Sequence, residues 1–222
     1  MKKTRYAGIV GLGLAVSLGA AACGSSTSSS TTAAGSSSST AATPTPLAAV
    51  ATLSGKQTAV TLNMSTIGAL KSLGVTVGGF GTASNVTLSD GAAVAFPITG
   101  GHVTVYPPHS IQPYVQGSID HKGSGLTFTA GGKTLTASDF VVDPGTSMLT
   151  ATINGASTPL FFLDGSNLTI SGPTSGAYML DGTVVKLLPA AARALESYFG
   201  APANAIPDYA PVGVAHITAT GS

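Results

Sequence analysis

Charge is scarce in this chain. Of its 222 residues only 8% are Asp, Glu, Lys or Arg, and Glu196 is the single glutamate. Gly, Thr and Ser fill most polar positions, so surface solubility rests on hydroxyls and backbone, and no basic face exists for nucleic acid. Cysteine is scarcer still: Cys23 stands alone, so no internal disulfide can form. Catalytic signatures are missing too. The sequence holds no Gly-x-Ser-x-Gly elbow, no His-Glu-x-x-His and no phosphate-binding glycine loop ahead of a helix. These gaps point away from an enzyme, and no residue set calls for a metal or another cofactor.

What is present begins with an export signal. Lys2, Lys3 and Arg5 precede an apolar run from Ala7 to Leu18, and the small residues Gly19 to Ala22 lead into Cys23. The run is shorter than the ~20 residues of a spanning helix. A free thiol at Cys23 would be oxidised outside the cytoplasm. Leu18-Gly-Ala-Ala-Ala-Cys23 resembles a bacterial lipobox, with Ala20 where Leu is commonest. That resemblance implies cleavage after Ala22, a diacylglyceryl group on Cys23 and anchorage to the outer face of the cell membrane. Loss of the signal leaves six basic against eight acidic side chains, changing the net charge from +1 to −2.

Gly24 to Pro46 is almost wholly Ser, Thr, Ala and Gly with two prolines at its end, a composition that buries nothing and stays disordered. As a flexible tether it reaches roughly 25 Å. The expected organisation is a signal at 1–22, a lipidated Cys23 and tether over 23–52, and a β-rich domain over 53–222.

Within that domain, Thr58 to Leu62 alternates as a strand, Ser65 is placed to cap a helix from Thr66 to Leu73, and Gly74 stops it. Thr183 to Leu187 repeats the arrangement, with Pro189 opening a second helix that ends at Phe199 before Gly200. The two units align with Val60 on Val185, Leu62 on Leu187, Ala69 on Ala194 and Leu70 on Leu195. Between them, short apolar or alternating runs, with Tyr114 to Ile119 and Leu126 to Ala130 read as two separate strands among them, are bounded by Gly, Pro, Asn or Asp. Gly131-Gly132 and Asn154-Gly155 fit hairpin turns, and Gly79-Phe80-Gly81 reads as another turn. The carboxylates Asp90, Asp143, Asp164 and Asp181, each before Gly or Pro-Gly, read as turn formers. The fold expected is mainly β: an antiparallel β-sandwich or flattened barrel with two short helices.

Chemistry-bearing residues gather in one region. His102, Tyr106, His109, Tyr114 and His121 are interleaved with Pro107, Pro108 and Pro113. Histidine and tyrosine ligate metals, and tyrosine stacks on sugars or haem. On the ordinary reading His102 and Tyr106 are half-buried strand residues and His109 lies in a solvated loop. His121, in Asp120-His121-Lys122-Gly123, stands out because the segment reads as a turn, where histidine supplies neither geometry nor packing.

The run Gly117-Ser-Ile-Asp-His121-Lys-Gly-Ser-Gly-Leu126, with strands following to Ile153, resembles the middle of the HtaA-type domain of secreted actinobacterial haem-binding proteins. The resemblance implies a strand-rich fold and a histidine that hydrogen-bonds a haem-ligating tyrosine. Only the histidine carries over, to His121, since Thr58 to Leu73 contains no tyrosine. As a whole the chain is similar to actinobacterial surface lipoproteins. Two functions follow: a non-enzymatic, lipid-anchored module that contacts a cell-wall component or protein, or a carrier of haem or another small apolar ligand. An apolar cavity with His121 or Tyr114 at its mouth favours the carrier, and a filled sandwich favours the contact module.

Overall fold

The computed structural model describes residues 44–221. The signal segment, Cys23 and the tether up to residue 43 lie outside the described residues. The first elements are β1 (Ala48–Val50), β2 (Leu53–Leu62), α1 (Met64–Ser72), β3 (Thr76–Gly81), β4 (Ser84–Leu88), β5 (Gly91–Pro97) and β6 (Gly100–Val105). The central stretch holds β7 (Val115–Ala130), β8 (Lys133–Asp143), β9 (Met148–Ile153) and β10 (Ala156–Asp164). It is followed by β11 (Thr169–Thr174), β12 (Ala177–Leu187), α2 (Pro189–Phe199) and β13 (Pro211–Gly221).

The protein is mainly β, as expected, with two helices and one antiparallel sheet curled into a half-barrel. Strand order is β1-β6-β7-β8-β9-β10-β12-β13-β2-β5-β4, with β3 added to β7 and β11 to β12. The curl brings distant strands face to face. At the β5–β6 link, Ile98 N donates to Lys56 O on β2 and Thr99 N to Asp120 O on β7, both at 2.8 Å. The strip therefore folds back on itself and encloses an interior lined by Val94, Phe96, Phe140, Leu149, Phe161 and Val185.

Local chemistry sets many of the boundaries. Gly131 and Gly132 both take positive φ in the β7–β8 hairpin, as Asn154 and Gly155 do between β9 and β10. Pro189 opens α2, and Gly200 closes it at φ 70°. Helix α1 is capped by Asn63 rather than Ser65: the Asn63 carboxamide oxygen accepts from Thr66 N at 3.1 Å, which starts the helix two residues sooner. The two strand-helix units, β2–α1 and β12–α2, lie on either side of β13.

Several expectations are corrected. The sheet begins ahead of Leu53, because Ala48–Val50 pair with Val103–Val105 and Leu47 N donates to Val105 O at 2.8 Å. Gly79-Phe80-Gly81 is no turn: it lies in β3, paired with Gly125 and its neighbours on β7. Asp181 is likewise mid-strand, in β12. Among the described residues, no helix is long and apolar enough to cross a membrane.

The two strands expected at Tyr114–Ile119 and Leu126–Ala130 are one strand, β7, interrupted by a bulge. Up to His121 its buried side chains are odd-numbered (Val115, Ile119, His121), and after Gly123 they are even-numbered (Ser124, Phe128), Gly125 being buried without a side chain. Across the bulge four steps of β7, His121 to Gly125, face two of β8, Phe140 to Ser138, and the inward parity of β7 reverses while the apolar side chains of both halves stay inward. Two glycines make the crossing: Gly123 takes φ 74°, and a Cβ at Gly125 would collide with the Ala137 carbonyl oxygen of β8.

Candidate functional site

Strand β7 carries His121 into the core rather than into a turn. Ahead of the bulge the odd positions face inward, so the ring is only 1% exposed and sits opposite Phe140 of β8. Phe96 of β5 meets it edge-on, with ring centroids 6.4 Å apart. Its Nε2 lies 2.8 Å from Thr58 Oγ1 of β2, and Thr58 is itself buried. Nδ1 is buried and makes no hydrogen bond of good geometry, although the Phe140 and Ile119 carbonyls lie close enough to the ring to favour its protonated form. Burial pulls the His121 pKa down to about 4, and the carbonyls of Phe140 and Ile119 and the Asp120 charge offset this only in part. The ring is neutral at neutral pH.

The interior around this pair is not filled. A narrow chamber of about 80 Å³ is bounded by Thr58, Phe96, His121 and Phe140, with Ile67 and Leu70 of α1 and Leu195 of α2 at its end. A second chamber of about 230 Å³ adjoins it and reaches the loops at Gln112-Pro113-Tyr114, Pro144 and Gly165. Thr58, Val60, Val142, Leu149 and Val185 line both. Beyond the narrow chamber a third space, about 540 Å³, lies between α2 and strands β9 and β10, sharing Phe128, Phe161, Leu187 and Leu195 with it. No Asp, Glu, Lys or Arg lines any of the three.

Side chains that sequence reasoning missed hold the helical end in place. Glu196, on the buried face of α2, accepts two hydrogen bonds from Arg193 at 2.6 and 2.7 Å. It also accepts from Asn204 N at 3.0 Å and Ile206 N at 2.7 Å. Desolvation alone would raise the Glu196 pKa, yet the bonds from Ile206, Arg193 and Asn204 leave it lowered. A charged, fully bonded carboxylate thus fixes the loop that places Ile206 over the narrow chamber.

The other candidate residues are scattered. Tyr114 is half-buried at the wall of the larger chamber, and its carbonyl accepts from Tyr106 N at 2.7 Å. Tyr106 is half-buried just past the end of β6. His109 is exposed in the proline turn at φ 66°. His102 is exposed on β6, where Val103 and Val105 take the inward positions. Of the five, only Tyr114 and His121 reach the interior, in adjoining chambers.

A second polar cluster lies on the outside. His216 of β13 stands between two carboxylates, with Nδ1 3.2 Å from Asp181 and Nε2 3.0 Å from Asp90. Asp90 also accepts from Thr61 at 3.0 Å. Desolvation would raise the Asp90 pKa, but the bonds from Thr61, its own backbone and His216 lower it. The cluster ties the β4–β5 turn to β2, β12 and β13. Among the described residues, no group of three or more His, Cys, Asp or Glu side chains is placed to hold a metal.

No family model matches the chain, and no curated protein or solved structure is significantly similar to it.

Proposed function

We propose that this protein is a non-enzymatic carrier, anchored by a lipidated Cys23 to the extracytoplasmic face of the cell membrane, that holds a small apolar molecule inside its half-barrel. The observation that carries the reading is the chamber of about 230 Å³ beside Tyr114, walled mainly by apolar side chains, with Thr58, Gln112, Ser147 and Thr183 as its polar members and no charge. An apolar cavity of ~150 Å³ already takes up benzene, so a largely apolar space of about 230 Å³ supports the uptake of a small molecule.

Haem fits this interior poorly. Its polar propionates would find no cation among the lining residues, and His121 Nε2 is already engaged by Thr58. The ligand is therefore an apolar molecule smaller than haem in cross-section. The test is extraction of the protein purified from its own membranes, followed by mass spectrometry. A stoichiometric apolar compound that is absent from Ala215→Phe protein is the expected result. Protein free of such a compound, which also fails to take up the neutral dye N-phenylnaphthylamine, overturns the carrier reading. Retention of Cys23→Ser protein at the membrane with unchanged fatty-acid label overturns the anchor.

A further inference from the structure

The buried polar side chains that line the narrow chamber are Thr58 and His121. Thr58 lines the narrow chamber and the larger one beside Tyr114, and His121 lines the narrow one. Their mutual bond at 2.8 Å leaves His121 Nδ1 without a partner. A buried polar atom left unpaired costs more than a hydrogen bond returns, so such an atom is a standing demand for one. Apolar space extends from this point in both directions, towards Tyr114 on one side and under α2 on the other.

We propose that the Thr58–His121 pair reads a single uncharged polar group lying within the chain of an elongated lipid, an ester linkage flanked by two alkyl arms. This rests on the carrier reading and narrows its ligand class. Three observations set the class. A chamber of about 80 Å³ between two larger ones has room for a short stretch of one alkyl chain. The absence of lining cations excludes a carboxylate or phosphate, because a buried anion without a partner is prohibitively costly. The position of the pair between the apolar spaces, rather than at either end, selects a polar group inside the molecule.

The tautomer follows. When the Thr58 hydroxyl donates to Nε2, the ring proton resides on Nδ1 and is free to donate to an ester carbonyl oxygen. An ester, which only accepts, fixes that tautomer.

The test uses the full chain carrying Cys23→Ser and probes delivered from cyclodextrin: octyl octanoate, heptadecane of equal chain length, and hexadecanol. Displacement of bound N-phenylnaphthylamine reports affinity. Octyl octanoate is expected to bind about tenfold tighter than heptadecane, the worth of one good hydrogen bond. His121→Phe should erase that preference, bringing ester and alkane to equal affinity, and Thr58→Val should reduce it. The ¹⁵N resonance of His121 Nδ1 should show a protonated nitrogen that shifts with the ester and not with the alkane. Equal binding of ester and alkane, the result expected if only water meets Nδ1, overturns this inference while the carrier reading stands. Hexadecanol binding as tightly as the ester overturns the in-chain position. Failure of every probe, the dye included, overturns the carrier reading itself.

Discussion

His121 Nε2 and Thr58 Oγ1 lie 2.8 Å apart although six strand-to-strand steps, from β7 through β8, β9, β10, β12 and β13 to β2, separate them along the sheet. One side-chain bond thus spans the interior that the curl creates. Removing its partner leaves both ring nitrogens of a fully buried histidine unsatisfied. Thr58→Val is therefore expected to lower unfolding stability by about 1–3 kcal/mol. Thr58→Val combined with His121→Phe should cost less than the two single changes added, because the double variant strands no polar atom. Urea midpoints of the four proteins measure the cycle.

The same burial makes stability pH-dependent in one direction. The unfolded ring accepts a proton near pH 6.5, whereas the folded ring resists until about 4. Between these values the unfolded chain binds more protons, so stability falls as pH falls, by about 1.4 kcal/mol per pH unit at the steepest and about 3 kcal/mol in all. Above pH ~6.5 this residue contributes no slope. Asp164, held down to about 2 chiefly by its bond from Lys186, loses its contribution at lower pH still, below its unfolded 3.8. The guanidinium midpoint of wild type should drop more between pH 7 and 5 than that of His121→Phe; equal drops would contradict a buried neutral imidazole.

Ala215 is 4% exposed on β13 and lines the chamber beside Tyr114. Ala215→Phe is expected to fill that space, weakening N-phenylnaphthylamine binding more than tenfold while circular dichroism keeps its β signature. Overpacking costs typically ~1–3 kcal/mol, and occupation of existing empty volume offsets part of it, so the thermal midpoint should move little. Unchanged dye binding would place the ligand elsewhere.

Two glycines give opposite outcomes. Gly68, exposed within α1, has open space where a Cβ would stand, so Gly68→Ala should stabilise the protein by about 1 kcal/mol. Gly125→Ala forces a methyl group onto the Ala137 carbonyl oxygen at the β7 bulge and should destabilise it. Thermal unfolding of the pair checks both signs.

Much of the fold was legible because local chemistry marked it. Gly131-Gly132 and Asn154-Gly155 announce turns by the φ they allow, and Pro189 and Gly200 bracket α2 by what each does to a helix end. Strand β3 was hidden because its glycines carry a turn signal, and β7 was split because one bulge breaks the alternation on which strand reading depends. That bulge also concealed the nature of His121. A histidine beside Lys122-Gly123 looks solvated until the change of parity is known. The grouping of His216 with Asp90 and Asp181 was illegible for another reason. Its members lie 126 and 35 residues apart, and an aspartate before glycine signals a turn whether or not it also has a distant partner.

Strand β13 has a kinetic meaning beyond its place in the strand order. It pairs on one side with β12 and on the other with β2, where His216 stands opposite Ala59, so the earliest long strand waits for one synthesised after every other described element. A chain made from its N-terminus onwards has β2 and β12 both lacking this partner until Pro211–Gly221 arrives. Until then each presents an open hydrogen-bonding edge to its neighbours. Folding dominated by pairings so remote in sequence is slow, and it leaves a window in which the incomplete chain depends on being kept apart from its copies.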